Sequence, residues 1–92
     1  MENNMNFRFP AVFNKEDDGY NVDFPDLIGG YTCGIGMPNS IYMAKDLLRT
    51  LMIYNYYNVR DVKPSSVEEL KKKYPNDLII MINVNIADRY LK

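Results

Sequence analysis

The sequence predicts an α+β domain in the order β-β-β-α-(short α)-β, one antiparallel or mixed sheet with a helix packed on one face. Three observations carry that prediction. Apolar and polar residues alternate with period two over residues 6–14, 20–24 and 78–86. Apolar residues recur at helical spacing from Ile41 to Met52. Clusters of Gly, Pro and Asn separate these runs.

The first run, NFRFPAVFN, sets Phe7, Phe9, Ala11 and Phe13 on one face and Arg8, Pro10, Val12 and Asn14 on the other. Pro10 has no N–H to give a ladder, so this strand is expected at an edge, or with a free N–H side at that point. The charged segment Lys15–Gly19 reads as a hairpin loop, with Gly19 supplying a positive φ. Tyr20, Val22 and Phe24 share a face of the second strand. Pro25 and Asp26 open a turn, in which Asp26 is expected to cap the bend through a local Asx hydrogen bond, and Gly29 and Gly30 tighten it. Residues 31–34 form a short third strand.

A helix follows, capped by Asn39 or Ser40 and running to about residue 55. Ile41, Ala44, Leu47, Leu48, Leu51 and Met52 share its apolar side, and Lys45, Asp46, Arg49 and Thr50 the opposite one. A loop over 58–66 precedes a short helix through Lys73. Two overlapping capping boxes are written at its start, Ser65 with Glu68 and Ser66 with Glu69. In the last strand Ile80, Ile82, Val84 and Ile86 face one way and Ile79, Met81, Asn83 and Asn85 the other. Being apolar on one face and half-apolar on the second, it is expected inside the sheet. The tail from Ala87 is expected to add a helical turn.

Length and composition narrow the function. The chain of 92 residues reads as one domain, residues 1–92. With 11 basic and 12 acidic side chains it has no long-range attraction for nucleic acid or anionic lipid. No apolar run approaches the ~20 residues that span a bilayer. The first residues lack a signal-peptide layout, and the lone Cys33 forms no internal disulfide. Together these point to a cytoplasmic protein.

Catalytic chemistry finds little to work with. There is no histidine, so the commonest general base and metal ligand are missing. Cys33 has no imidazole to activate it and reads as a small strand residue. Glu16, Asp17 and Asp18 read as a solvated turn. Asp23 and Asp26 flank Pro25 and make the one carboxylate pair to weigh for Mg²⁺. The glycines form no phosphate-binding fingerprint. Tyr54, Tyr56 and Tyr57 have too few cations nearby for a nucleic-acid surface and read as core or interface packing. The expectation is no catalytic site, no metal site and no cofactor.

Apolar residues are left over. Tyr42 and Ile53, with Tyr56 if the helix continues, fall on the arc otherwise filled by Lys45, Asp46 and Arg49. Val12, Ile79 and Met81 look toward the sheet face opposite the main helix. One alternative makes these contact surfaces for a partner and for a homo-oligomer. The other has the short helix and the tail cover that sheet face.

Five motifs in order resemble the HicB antitoxin family: Phe9-Pro10-Ala11-Val12-Phe13, Asp18-Gly19-Tyr20, Phe24-Pro25-Asp26-Leu27 with Gly29, Thr32-Cys33-Gly34, and Met43-Ala44-Lys45-Asp46-Leu47-Leu48. The last strand and Asp88-Arg89-Tyr90 also resemble the ending of that family's N-terminal domain. Three departures stand out. Met37–Tyr42 replaces the acidic segment that usually precedes the helix. Gly30 stands where cysteine is frequent. The sequence stops at Lys92, where many members continue into a DNA-binding domain, so no DNA-binding domain is expected in this chain.

The resemblance implies a partial RNase H-like fold. It also implies an antitoxin-type protein-binding module of a type II toxin–antitoxin system, neutralising a HicA-like mRNA-cleaving toxin by steric occlusion. Candidate partner contacts are Phe24, Pro25, Asp26 and Leu27 in the bend, and Tyr42, Arg49 and Ile53 on the helix. Two other readings are a residual Mg-dependent nuclease using Asp23 and Asp26, and a structural oligomer or orphan HicB-like protein without a toxin.

Overall fold

The computed structural model describes residues 3–91. Its elements are β1 (Asn4–Lys15), β2 (Gly19–Asp23), β3 (Tyr31–Ile35), α1 (Gly36–Val59), α2 (Val67–Lys73), β4 (Leu78–Ala87) and a 3-10 turn, Asp88–Tyr90. The four strands form one sheet in the order β3-β2-β1-β4, and every neighbouring pair is antiparallel. The predicted α+β order is the one observed.

Strand positions decide between the two alternatives for Pro10, in favour of a free side at that point, and correct the expectation for β4. β1 is internal: β4 pairs with it continuously from Asn4↔Ala87 to Phe13↔Leu78, and β2 pairs with it from Val12↔Asp23 to Lys15↔Tyr20. Pro10 is tolerated because β2 pairing begins only at Val12, which leaves Pro10 a neighbour strand on the β4 side alone. β4 is not inside the sheet but at its edge. Its double-faced apolar character comes from helices packed on both faces, not from a strand on each side. Gly19 has no positive φ. A Cβ there would sit 1.9 Å from the Gly34 carbonyl oxygen, so close strand approach, not turn geometry, excludes a side chain.

α1 packs on β3, β2 and β4. Beneath it lies the core: Phe9, Ala11 and Phe13 of β1, Val22 of β2, Ile82, Val84 and Ile86 of β4, and Ala44, Leu48 and Met52 of the helix. The buried helical positions recur every four residues from Ser40 to Met52, the stripe of an amphipathic helix seated on a sheet. Gly34 lets the helix start sit down on β3, since a Cβ there would come within 2.6 Å of Ser40 Cα. The helix begins earlier than its expected caps. Asn39 accepts the Ile35 N–H through Oδ1 at 2.8 Å, and the buried Ser40 hydroxyl donates to the Gly36 carbonyl at 2.6 Å. At Asn55 the backbone leaves helical geometry (φ −129°, ψ 21°), and one further turn runs on to Val59.

The opposite sheet face carries Val12, Pro10, Ile79 and Met81, since residues paired across strands point the same way. α2 packs there, on β4 and β1. Leu70 and Val12 are both buried, and neither belongs to the main core. The short helix therefore covers this half of the face. The tail does not: Leu91 packs against the main core instead. Only the second capping box forms at α2. Glu69 N–H donates to Ser66 Oγ, and Ser66 N–H to Glu69 Oε1. Among the described residues no helix is long and apolar enough to cross a membrane.

Candidate partner-binding surface

The bend between β2 and β3 is closed by its own backbone. Phe24 N–H donates to Gly30 O at 2.7 Å, Leu27 N–H to Phe24 O at 3.0 Å, and Gly30 N–H to Leu27 O at 3.2 Å. Gly29, at φ 79°, turns the chain back. Phe24 and Leu27 are buried in the core, so they anchor the bend from beneath. Pro25 is half-buried. The residue presented outward is Ile28, fully exposed at 100%.

Asp26 does not cap its own bend. Both its carboxylate oxygens accept from Ser65, one from the backbone N–H at 2.9 Å and one from the hydroxyl at 2.7 Å. Ser65 is thereby committed to Asp26, which explains why Ser66 alone forms the capping box. This tie draws the loop after α1 against the bend. Between them opens a groove of about 400 Å³ lined by Asp26, Leu27, Ile28, Leu51, Val59 and Val62, with Asn55 and Asn58 at its polar side. The kink at Asn55 sets Val59 toward this groove and turns Tyr56 onto Phe7, where the rings meet edge to face at 6.0 Å. Tyr56 thus leaves the expected stripe with Tyr42 and Ile53.

The helix candidates lie elsewhere. Tyr42 is 66% exposed. Ile53 is half-buried against the core and, with Arg49, lines a smaller groove of about 240 Å³ whose other wall is Asn85, Ile86, Ala87 and Tyr90. The seven candidate residues therefore do not converge on one patch. The bend forms one surface and the outward side of α1 along β4 a second. Sequence reasoning missed Ile28, Val59 and Val62. A large apolar residue at a turn tip, between Leu27 and Gly29, was the available signal for the first; the two valines lay near or within a loop with no periodicity to flag them.

The carboxylate pair is divided as well. Asp26 lines the bend groove and is engaged by Ser65, whereas Asp23 lines a groove on the far sheet face with Val12, Asn21, Tyr31 and Tyr74. Burial raises the Asp23 carboxyl above its ordinary value. Among the described residues no group of three or more His, Cys, Asp or Glu is placed to hold a metal ion. Cys33 is exposed on the edge strand β3. The arrangement offers shape and apolar area, with its acids spread over separate surfaces.

No protein-family model matches the chain, and no curated protein matches it in sequence. Among solved structures it is similar to a chain of a "Toxin-Antitoxin complex from Streptococcus pneumoniae": the superposition spans 96% of this chain and 74% of that one, with 20% sequence identity and a TM-score of 0.66, a likeness of fold over nearly the whole molecule.

Proposed function

We propose that this chain is the antitoxin of a toxin–antitoxin pair, a cytoplasmic HicB-like protein that neutralises a HicA-like mRNA-cleaving toxin by covering its active face, with no catalysis of its own. The observation that carries this reading is the fold likeness, over 96% of the chain, to a chain of a toxin–antitoxin complex. The five ordered motifs add to it, since they resemble those of the HicB antitoxin family. The separation of Asp23 from Asp26 disfavours the nuclease alternative.

For the toxin-facing surface we assign the bend groove. It is a largely apolar concavity beside a side chain, Ile28, that folding leaves wholly in water. Leu27 lines it from the core, Phe24 anchors the bend beneath, and the Asp26–Ser65 tie holds its wall. A preformed surface of this kind binds without a large ordering cost. Steric occlusion needs no more than that.

The test is co-expression with the product of the adjacent reading frame. A small basic protein carrying a catalytic histidine should co-purify with this chain, and its growth arrest should be relieved. A neighbour without that character, or an arrest that co-expression leaves unchanged, removes the reading. Metal-dependent RNA cleavage by the purified chain would overturn it in favour of a nuclease.

A further inference from the structure

We propose that β4 is a self-pairing edge, through which two copies of this chain join antiparallel into one continuous sheet. The inference stands apart from the antitoxin reading and rests on β4 alone.

β4 ends the sheet, so alternate backbone N–H and C=O groups along it point away from β1. Its pairing with β1 runs from Asn4↔Ala87 to Phe13↔Leu78 with no position skipped, so no bulge twists the edge away. Edge strands are ordinarily protected by a charge, a proline or brevity. β4 has none of these: Leu78–Ala87 contains no charged residue and no proline over 10 residues. The charges stand just outside, at Asp77 and Asp88. The other edge, β3, is protected by brevity, at 5 residues, and contains Gly34.

The sequence of β4 fits a second copy of itself. A twofold axis perpendicular to the sheet keeps each face on its own side, so Ile80, Ile82, Val84 and Ile86 meet only one another. With the axis at Asn83, Ile80 of one copy opposes Ile86 of the other, and Ile82 opposes Val84. The same register brings Asp77 of each copy to the end where the other carries Asp88 and Arg89, so charges of both signs meet there outside the apolar run. It also sets the second copy's half-buried Ile80 beside the groove lined by Ile86, Ile53 and Arg49, which accounts for the apolar residue on the polar side of α1. Both copies of α1 then lie on one face, flanking the seam.

Sedimentation of the full chain from micromolar to millimolar concentration should give twice the 10.8 kDa monomer mass. Asn83 is exposed, and at the axis it faces its own copy. Asn83→Lys and Asn83→Glu should each weaken the dimer about tenfold or more through like-charge opposition, and an equimolar mixture of the two should restore it. Circular dichroism of each variant confirms that the fold is kept. A wild-type chain that stays monomeric throughout, including one whose edge pairs only with a foreign strand, overturns the proposal. So does a dimer that both charge variants leave intact.

Discussion

Asp26 and Ser65, 39 positions apart, are joined by two hydrogen bonds, the serine donating from both its backbone and its hydroxyl to one carboxylate. The pair is partly buried and links the β2–β3 bend to the loop before α2. Asp26→Ala should cost about 1–3 kcal/mol, as expected for hydrogen bonds to a charged acceptor. Ser65→Ala should cost less, since its backbone donor survives. The two substitutions should be less than additive in urea denaturation, because each removes part of the same contact.

Phe24 and Ile28 separate folding from recognition. Phe24 is fully buried, and Phe24→Ala should cost about 3–5 kcal/mol through lost burial and a cavity. Ile28 is wholly exposed, and Ile28→Ser should change stability by about 0.5 kcal/mol or less. Under the antitoxin reading the second variant keeps its thermal midpoint and loses toxin affinity in a titration; unchanged affinity would move the contact away from the bend.

Gly34→Ala tests how α1 is seated. The added methyl would lie 2.6 Å from Ser40 Cα and 2.8 Å from Ser40 N, backbone that cannot turn aside. The helix start must lift from β3, so a lower denaturation midpoint is expected, with faster amide exchange around residues 36–40. A midpoint equal to wild type would show that the approach is looser.

Asp23 gives a pH signature. Its raised carboxyl holds a proton where the unfolded chain has already released one. Its contribution is therefore full below the unfolded pKa and is lost as pH rises through the folded value. Asp23→Asn should flatten that decline in urea midpoints measured from about pH 3 to 6, the range in which carboxylates titrate. A variant with the same slope as wild type would place the dependence on another group.

The parts of the fold legible in the sequence were those written as local periodicity. The alternation of Phe7 through Phe13, the spacing from Ile41 to Met52 and the Ser66–Glu69 box each describe neighbours within a few residues. Strand order was not written that way. β4 looked internal because Ile79 and Met81 share a face with α2, and alternation reports which faces are buried without saying which strand lies alongside. The bend groove was hidden for a related reason. Phe24 and Leu27 were visible as apolar residues near a turn, but their burial, and the reach of Asp26 to Ser65, depend on where a distant loop returns. The helix expected to end near residue 55 instead kinks at Asn55 and continues to Val59, because the turn beyond the kink packs Tyr56 onto Phe7.

The pairing of β1 with β4 has a consequence during synthesis. Phe9 lies opposite Ile82, so a nascent chain carries its phenylalanine-rich first strand for about 70 residues before the matching strand is made. At translation rates of about 5–20 residues per second, that interval lasts on the order of 4–14 s. Until the final strand clears the ribosome the hairpin has only a partial roof, and chaperones or proteases have those seconds in which to engage it.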